Sequence, residues 1–129
     1  MVAVSPTHSI GIDVQDVGRD APPWSEVQAW LHPNERSAHD PAASAWSPAA
    51  VWSRKEAVLK ALGVGLAGQP QVVDCGAWSS AWRRVVVVPF GSVLLRSIET
   101  PGSASGLAAA LAVAGDAAPP TLSLTSWPD

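Results

Sequence analysis

The stretch Ser47–Gly63, SPAAVWSRKEAVLKALG, decides the fold. Serine is a favoured N-cap, proline fits the first helical position, and glycine often ends a helix in a left-handed conformation. Ser47, Pro48 and Gly63 occupy these three places. We therefore predict one long helix from about Ser47 to Leu62.

Two stripes of side chains run along this predicted helix. The apolar stripe holds Val51, Val58 and Leu62, together with the aliphatic stem of Lys55. The neighbouring stripe follows i, i+4, i+8 spacing and holds Trp52, Glu56 and Lys60. Residues four apart lie one above the other on a helix, so Glu56 and Lys60 are expected to project together. Taken alone, such a pair is more typical of a solvated helix face than of a functional site.

The N-terminal segment has the pattern of a β-hairpin. Val2–Val4 and Ser9–Val14 are short and β-branched, and the turn-forming segment Ser5–His8 separates them. Side chains alternate between the two faces of a strand, which places Gly11, Asp13 and Gln15 opposite the apolar side chains Ile10, Ile12 and Val14. Asp13 is therefore expected to face a polar space.

The rest of the chain gives weaker signals. Trp24–Leu31 predicts one short helix that ends before Pro33. A meander of three strands is predicted by the segments Gln71–Cys75, Arg84–Phe90 and Ser92–Ile98. The run Leu107–Val113 is ambiguous, because its alanines favour a helix although the run is short.

Composition limits the class of protein. A chain of 129 residues with 47% hydrophobic content fits one domain with a modest core. A net charge of -3 without a basic cluster argues against nucleic-acid binding. Cys75 is the single cysteine, and the sequence has neither a signal-peptide pattern nor an apolar run long enough for a membrane. A soluble, cytoplasmic protein without a membrane partner is expected.

Two motifs, in this order, resemble the 4'-phosphopantetheinyl transferase superfamily. Gly11-Ile12-Asp13-Val14 is similar to its G-[IV]-D-[IV] strand, and Trp52–Gly63 is similar to its W-x-x-K-E-A-x-x-K-x-x-G helix. Leu31–Glu35 resembles its F-x-x-x-E segment less sharply. The resemblance implies an α+β fold with an antiparallel sheet packed against one long helix, and a strand at Leu107–Val113. The domain is expected to span residues 1–115, followed by an irregular tail at 116–129.

The resemblance also implies a reaction of the holo-acyl-carrier-protein synthase type. Such enzymes transfer 4'-phosphopantetheine from coenzyme A to a serine of an acyl or peptidyl carrier protein, and release 3',5'-ADP. The implied Mg²⁺ ligands are Asp13 and Glu56, with Gln15 at a position where larger members have a second acid. Glu56 would also act as the base. Lys60 would bind the phosphoryl oxygens or assist proton transfer, and Lys55 and Lys60 would bind coenzyme A phosphates.

Two interpretations of the whole chain stay open. The helix motif resembles the two-lobed class of the superfamily, whereas the length resembles the single-lobed class, whose sites form between subunits. The first interpretation is an enzyme completed by a homo-oligomer or by a first-lobe partner. The second is an incomplete lobe or relic that acts as a binding module, a possibility that the neutral Gln15 motivates.

Overall fold

The computed structural model describes residues 8–16, 23–64, 69–99 and 107–115. The α-helices in this part of the chain are α1 (Trp24–Val27), α2 (Pro33–Ala38) and α3 (Pro48–Leu62). The strands are β1 (Ile10–Asp16), β2 (Arg83–Val87), β3 (Gly91–Ile98) and β4 (Leu107–Ala114). Short 3-10 helices lie at Gln28–Trp30, Ser44–Trp46 and Pro70–Val72.

The strands form one antiparallel sheet in the order β1-β4-β3-β2. Helix α3 packs across one face of this sheet, mainly over β1 and β4. The core between them contains apolar side chains of α3, β2 and β3 and the small Ala110 and Ala112 of β4. The predicted α+β fold, with an antiparallel sheet against one long helix, is confirmed.

Helix α3 begins and ends where its sequence predicts. The Ser47 hydroxyl accepts a hydrogen bond from the backbone amide of Ala50 at 3.1 Å, and Pro48 follows as the first helical residue. Gly63 ends the helix with φ of 73°, a left-handed conformation that glycine adopts without strain. The polar side chains of Arg54 and Lys55 are buried along with the apolar ones.

Gly11 sets the distance between β1 and α3. A Cβ atom at this position would lie 2.1 Å from the Ala57 carbonyl oxygen and 2.6 Å from the Ala61 amide nitrogen. Only a residue without a side chain fits this contact, so the backbone of β1 lies directly against the helix. As a result, Asp13, two residues along the same strand face, is brought against α3.

The prediction of a strand at Gln71–Cys75 is wrong. Pro70–Val72 forms a 3-10 helix, and the following residues are irregular. The backbone groups here bond to buried side chains instead of a neighbouring strand: the Val73 carbonyl accepts from Lys55, and the Cys75 carbonyl accepts from Arg54. These bonds satisfy the buried carbonyls of Val73 and Cys75 without a neighbouring strand.

Two other local predictions are settled by the structure. Pro33 ends the preceding helical segment and is also the first residue of α2, a position where proline is tolerated. Leu107–Val113 lies in a strand, as the family resemblance implied, because it pairs with β1 on one side and β3 on the other. The predicted hairpin strand at Val2–Val4 and the tail at 116–129 lie outside the described residues.

Candidate active site

Strand β1 and helix α3 bring Asp13, Glu56 and Lys60 together. Asp13 is 8% exposed and Glu56 is 9% exposed, so both carboxylates lie at the edge of the core. The Lys60 ammonium lies 2.7 Å from Asp13 Oδ1 and donates a second hydrogen bond to the Ile12 carbonyl at 3.2 Å. The Lys60 side chain is 45% exposed, so this ion pair is in contact with solvent.

Gln15 lies beside Asp13 on the same strand face. Its amide Nε2 donates to Asp13 Oδ2 at 2.6 Å. Lys60 donates to the other oxygen, so both oxygens of Asp13 have a donor from the chain itself. The polar environment predicted for Asp13 is therefore formed by Gln15 and Lys60.

Glu56 is the member of the group whose hydrogen-bonding capacity is least satisfied. Its buried Oε1 has no hydrogen-bond partner within the described ranges. Burial raises the pKa of Glu56 above its ordinary value, the negative charge of Asp13 raises it further, and the positive charge of Lys60 acts in the opposite direction. The ion pair that helical spacing suggested between Glu56 and Lys60 is replaced by the pair between Lys60 and Asp13.

Lys55 is not brought to this group. Its side chain is fully buried, and its ammonium lies 2.5 Å from Glu35 Oε1. It also donates to the carbonyl oxygens of Pro70 at 3.0 Å and Val73 at 2.6 Å. An ammonium has three hydrogens to donate, so these three acceptors use all of its capacity. The predicted contact of Lys55 with coenzyme A phosphates has no support in this arrangement.

Glu35 joins three segments around Lys55. Its Oε1 also accepts from the His32 amide at 2.9 Å, and its Oε2 accepts from the amides of Cys75 and Gly76 at 3.0 and 3.1 Å. Helix α2, helix α3 and the irregular segment after Val72 therefore meet at one buried carboxylate. Sequence reasoning missed this role, although the match of Leu31–Glu35 to a family segment had marked the residue.

One comparison with known proteins, against family models, covers the strand and the helix that build this site. The model of the 4'-phosphopantetheinyl transferase superfamily matches residues 9–99 of the 129, a range that contains Asp13, Gln15, Glu56 and Lys60. The chain belongs to this superfamily. No curated protein and no solved structure matches the chain. Membership assigns it to the transferases that move phosphopantetheine, and β4 lies beyond the matched range.

The donor set of this site fits a hard divalent cation. Asp13 and Glu56 supply two carboxylates, and the buried Glu56 Oε1 has no hydrogen-bond partner in the described part of the chain. No group of three or more His, Cys, Asp or Glu side chains suited to a metal ion occurs in the described part of the chain. Mg²⁺ commonly takes one or two carboxylates and fills its other positions with phosphate oxygens and water. The residues present match that pattern.

Trp52, the first residue of the superfamily helix motif, contacts a neighbouring aromatic ring. Its ring centroid lies 4.2 Å from that of Trp30. Trp52 is half-buried and one helical turn from Glu56, so its contact with Trp30 fixes one end of the stripe that carries Glu56 and Lys60. This position agrees with a packing role for Trp52.

Within residues 8–16, 23–64, 69–99 and 107–115, no helix is both long enough and apolar enough to cross a bilayer.

Proposed function

We propose that this chain catalyses the Mg²⁺-dependent transfer of 4'-phosphopantetheine from coenzyme A to a serine of an acyl or peptidyl carrier protein, with release of 3',5'-ADP. The observation that carries the proposal is that Asp13 of β1 and Glu56 of α3 are both buried where these elements meet, and that Glu56 Oε1 accepts no hydrogen bond within the described residues. Membership of the phosphopantetheinyl transferase superfamily supports the reaction type.

Asp13 and Glu56 are the proposed ligands of the ion. Gln15 is near enough to Asp13 to add its amide oxygen, directly or through water, once its amide group turns. A bound Mg²⁺ supplies positive charge that offsets the charge of the coenzyme A pyrophosphate during transfer. Binding also gives the unpaired Glu56 Oε1 a partner, which removes an unfavourable feature of the metal-free site.

Lys60 is the proposed cation for the phosphoryl group. Charge on a transferring phosphoryl group is stabilised by cations held in place around it. Lys60 is half-exposed and at the site, whereas Lys55 is fully buried and uses all three of its hydrogens. The two lysines of the motif therefore have different roles in this proposal, and Lys60 alone contacts the substrate.

Glu56 is the proposed base. The serine of the carrier protein must lose its hydroxyl proton as its oxygen attacks the β-phosphate of coenzyme A. Burial and the charge of Asp13 raise the pKa of Glu56, whereas a bound Mg²⁺ would act in the opposite direction, so the assignment as base is supported by the buried Oε1 that accepts no hydrogen bond from a described residue. Glu56 accepts the proton directly or through one water, and the bond to the leaving 3',5'-ADP breaks.

A second subunit or a first-lobe partner completes the cleft in this proposal. The described site presents its carboxylates and Lys60 from one strand and one helix, and coenzyme A carries more phosphate charge than one lysine can offset. Sedimentation of the purified chain measures this directly. A homo-oligomer supports a self-sufficient enzyme, and a strict monomer supports a separate partner.

Intact-mass analysis of an apo carrier protein tests the reaction. The carrier is incubated with this chain, coenzyme A and Mg²⁺, with EDTA in one control and a known phosphopantetheinyl transferase in another. A metal-dependent gain of one phosphopantetheine supports the proposal. No gain, while the known transferase succeeds, contradicts it for the isolated chain and favours an incomplete lobe that acts as a binding module.

A further inference from the structure

The carboxylates of Asp13 and Glu56 are unequally satisfied by hydrogen bonds. Asp13 receives Lys60 on Oδ1 and Gln15 on Oδ2, so its carboxylate needs no external cation. Glu56, on the same side of α3 as Lys60, has a buried oxygen that accepts no hydrogen bond from any described residue. The chain's own side chains therefore satisfy both oxygens of Asp13 and leave Glu56 Oε1 without a hydrogen-bond donor among the described residues.

The ammonium of Lys60 lies 2.7 Å from Asp13 Oδ1. A carboxylate oxygen can bind a metal ion and accept a hydrogen bond at once, but a divalent ion shared by Asp13 and Glu56 would stand close to this ammonium, and the two positive charges would repel each other. The ion and Lys60 therefore compete for the negative charge of Asp13. The 45% exposure of Lys60 makes displacement easy, since half-exposed ion pairs contribute little net free energy and the freed ammonium regains water.

We propose that Lys60 is an internal cation that occupies Asp13 until a divalent ion displaces it, and that displacement releases the ammonium to bind substrate phosphate. This inference rests on the metal site of the proposed function. It makes ion binding and phosphate binding cooperative, because the ion removes the carboxylate that otherwise holds Lys60. Gln15 favours the metal-free arrangement by donating to the second oxygen of Asp13, which a carboxylate at position 15 could not do.

Direct measurement of ion affinity tests the inference without turnover. Mn²⁺, which accepts the same oxygen ligands, is titrated into wild-type and Lys60→Met protein without coenzyme A, and free Mn²⁺ is read by electron paramagnetic resonance. Removing the competitor should tighten Mn²⁺ binding by about twofold to fivefold, the factor that corresponds to the net free energy of a half-exposed ion pair. Equal or weaker binding by Lys60→Met overturns the inference.

Two controls distinguish competition at Asp13 from a general effect of removing a positive charge. Arg36→Met removes an exposed positive charge from α2 and should leave the Mn²⁺ affinity within about twofold of wild type, since exposed charges farther away are screened. In an Asp13→Asn background the effect of Lys60→Met should disappear, because the shared carboxylate is gone. An undiminished effect in that background contradicts competition at Asp13. Circular dichroism confirms that each variant is folded.

The outcomes also separate this inference from the proposed function. If the Mn²⁺ affinity is equal in wild type and Lys60→Met, the competition is overturned and the proposed metal site is not. Absence of Mn²⁺ binding in every variant at millimolar ion overturns both the competition and the metal site. Tighter binding by Lys60→Met, together with no modification of a carrier, supports the competition and counts against the transferase activity.

Discussion

Lys55 and Lys60 belong to one helix and each faces a carboxylate from another segment, but their surroundings differ. The pair between Lys55 and Glu35 is dry, with side chains that are 0% and 1% exposed. The pair between Lys60 and Asp13 is open to solvent on the lysine side. Removing one partner of a dry pair leaves an uncompensated buried charge, whereas water replaces the partner of an open one. The same residue type thus fixes the fold at one position and stays displaceable at the other.

The largest effect is expected from Lys55→Met. The change leaves Glu35 charged and buried without its ammonium, and we expect a loss of about 3–5 kcal/mol in the free energy of unfolding. Urea denaturation followed by tryptophan fluorescence measures it, since the chain has 7 tryptophans. Lys60→Met is the matched control, with an expected change within about 1 kcal/mol. Equal losses in the two variants would remove the distinction drawn between the lysines.

Gly11→Ala should disturb the solvent-exposed pair of Lys60 and Asp13 more than the buried pair of Lys55 and Glu35. Its Cβ would overlap the Ala57 carbonyl, so β1 must move away from α3 at an expected loss of about 1–3 kcal/mol. Because the movement separates Asp13 from Lys60 and Glu56, Mn²⁺ affinity should fall as well. Denaturation and Mn²⁺ titration of one preparation give both values. Wild-type stability with unchanged Mn²⁺ affinity would show that the close contact of β1 and α3 does not build the site.

Glu56→Gln should stabilise the metal-free protein at neutral pH. A carboxyl whose pKa is raised by folding holds its proton more tightly in the folded chain, so ionised Glu56 lowers stability above that raised pKa. Glutamine avoids this penalty, and we expect a gain of about 0.5–2 kcal/mol at pH 7. The gain should shrink as pH falls through the raised pKa and below the ordinary value of 4.5, where wild-type Glu56 is neutral in both states. A gain that is independent of pH contradicts this explanation.

The smallest effect concerns Gln15 and separates its two possible roles. Gln15→Ala removes the donor to Asp13, whereas Gln15→Glu removes the donor and adds a charged oxygen. If Gln15 acts through Asp13, Mg²⁺ affinity by calorimetry should rise about twofold to threefold in the first variant, and if its amide oxygen binds the ion, that affinity should fall. In the second variant the affinity should rise about tenfold. Equal increases would mean that residue 15 acts only through Asp13. Unchanged affinity in both variants would place Gln15 outside the site.

Local signals made α3 predictable. Its N-cap, its first proline and its terminal glycine act within a few residues, and the structure places them as expected. The fold class and the strand at Leu107–Ala114 followed from the family resemblance, because alanine content alone favoured a helix. For the site, the strand and helix motifs identified the residues that meet. Alternation correctly separated Asp13 from Ile10, Ile12 and Val14, although the face of Asp13 is the one that packs against α3.

The segment after Val72 could not be predicted in the same way. Its sequence has the β-branched texture of a strand, but its carbonyls and amides bond to Lys55, Arg54 and Glu35, which come from distant parts of the chain. The buried environment of Lys55 could not be predicted from the sequence for the same reason. A motif lysine at a family position suggested substrate contact, and only tertiary packing shows that three acceptors enclose its ammonium.

Modification of an apo carrier protein by Asp13→Ala and Glu56→Ala tests the central claim most directly. Intact-mass assays with coenzyme A and Mg²⁺ are run beside wild type, and circular dichroism confirms that both variants are folded. If the two carboxylates share one ion, each variant should lose at least about 100-fold in Mg²⁺-dependent rate, the scale seen when an electrostatic group of an active site is removed. Full activity in either variant would contradict the assignment of the site to Asp13 and Glu56.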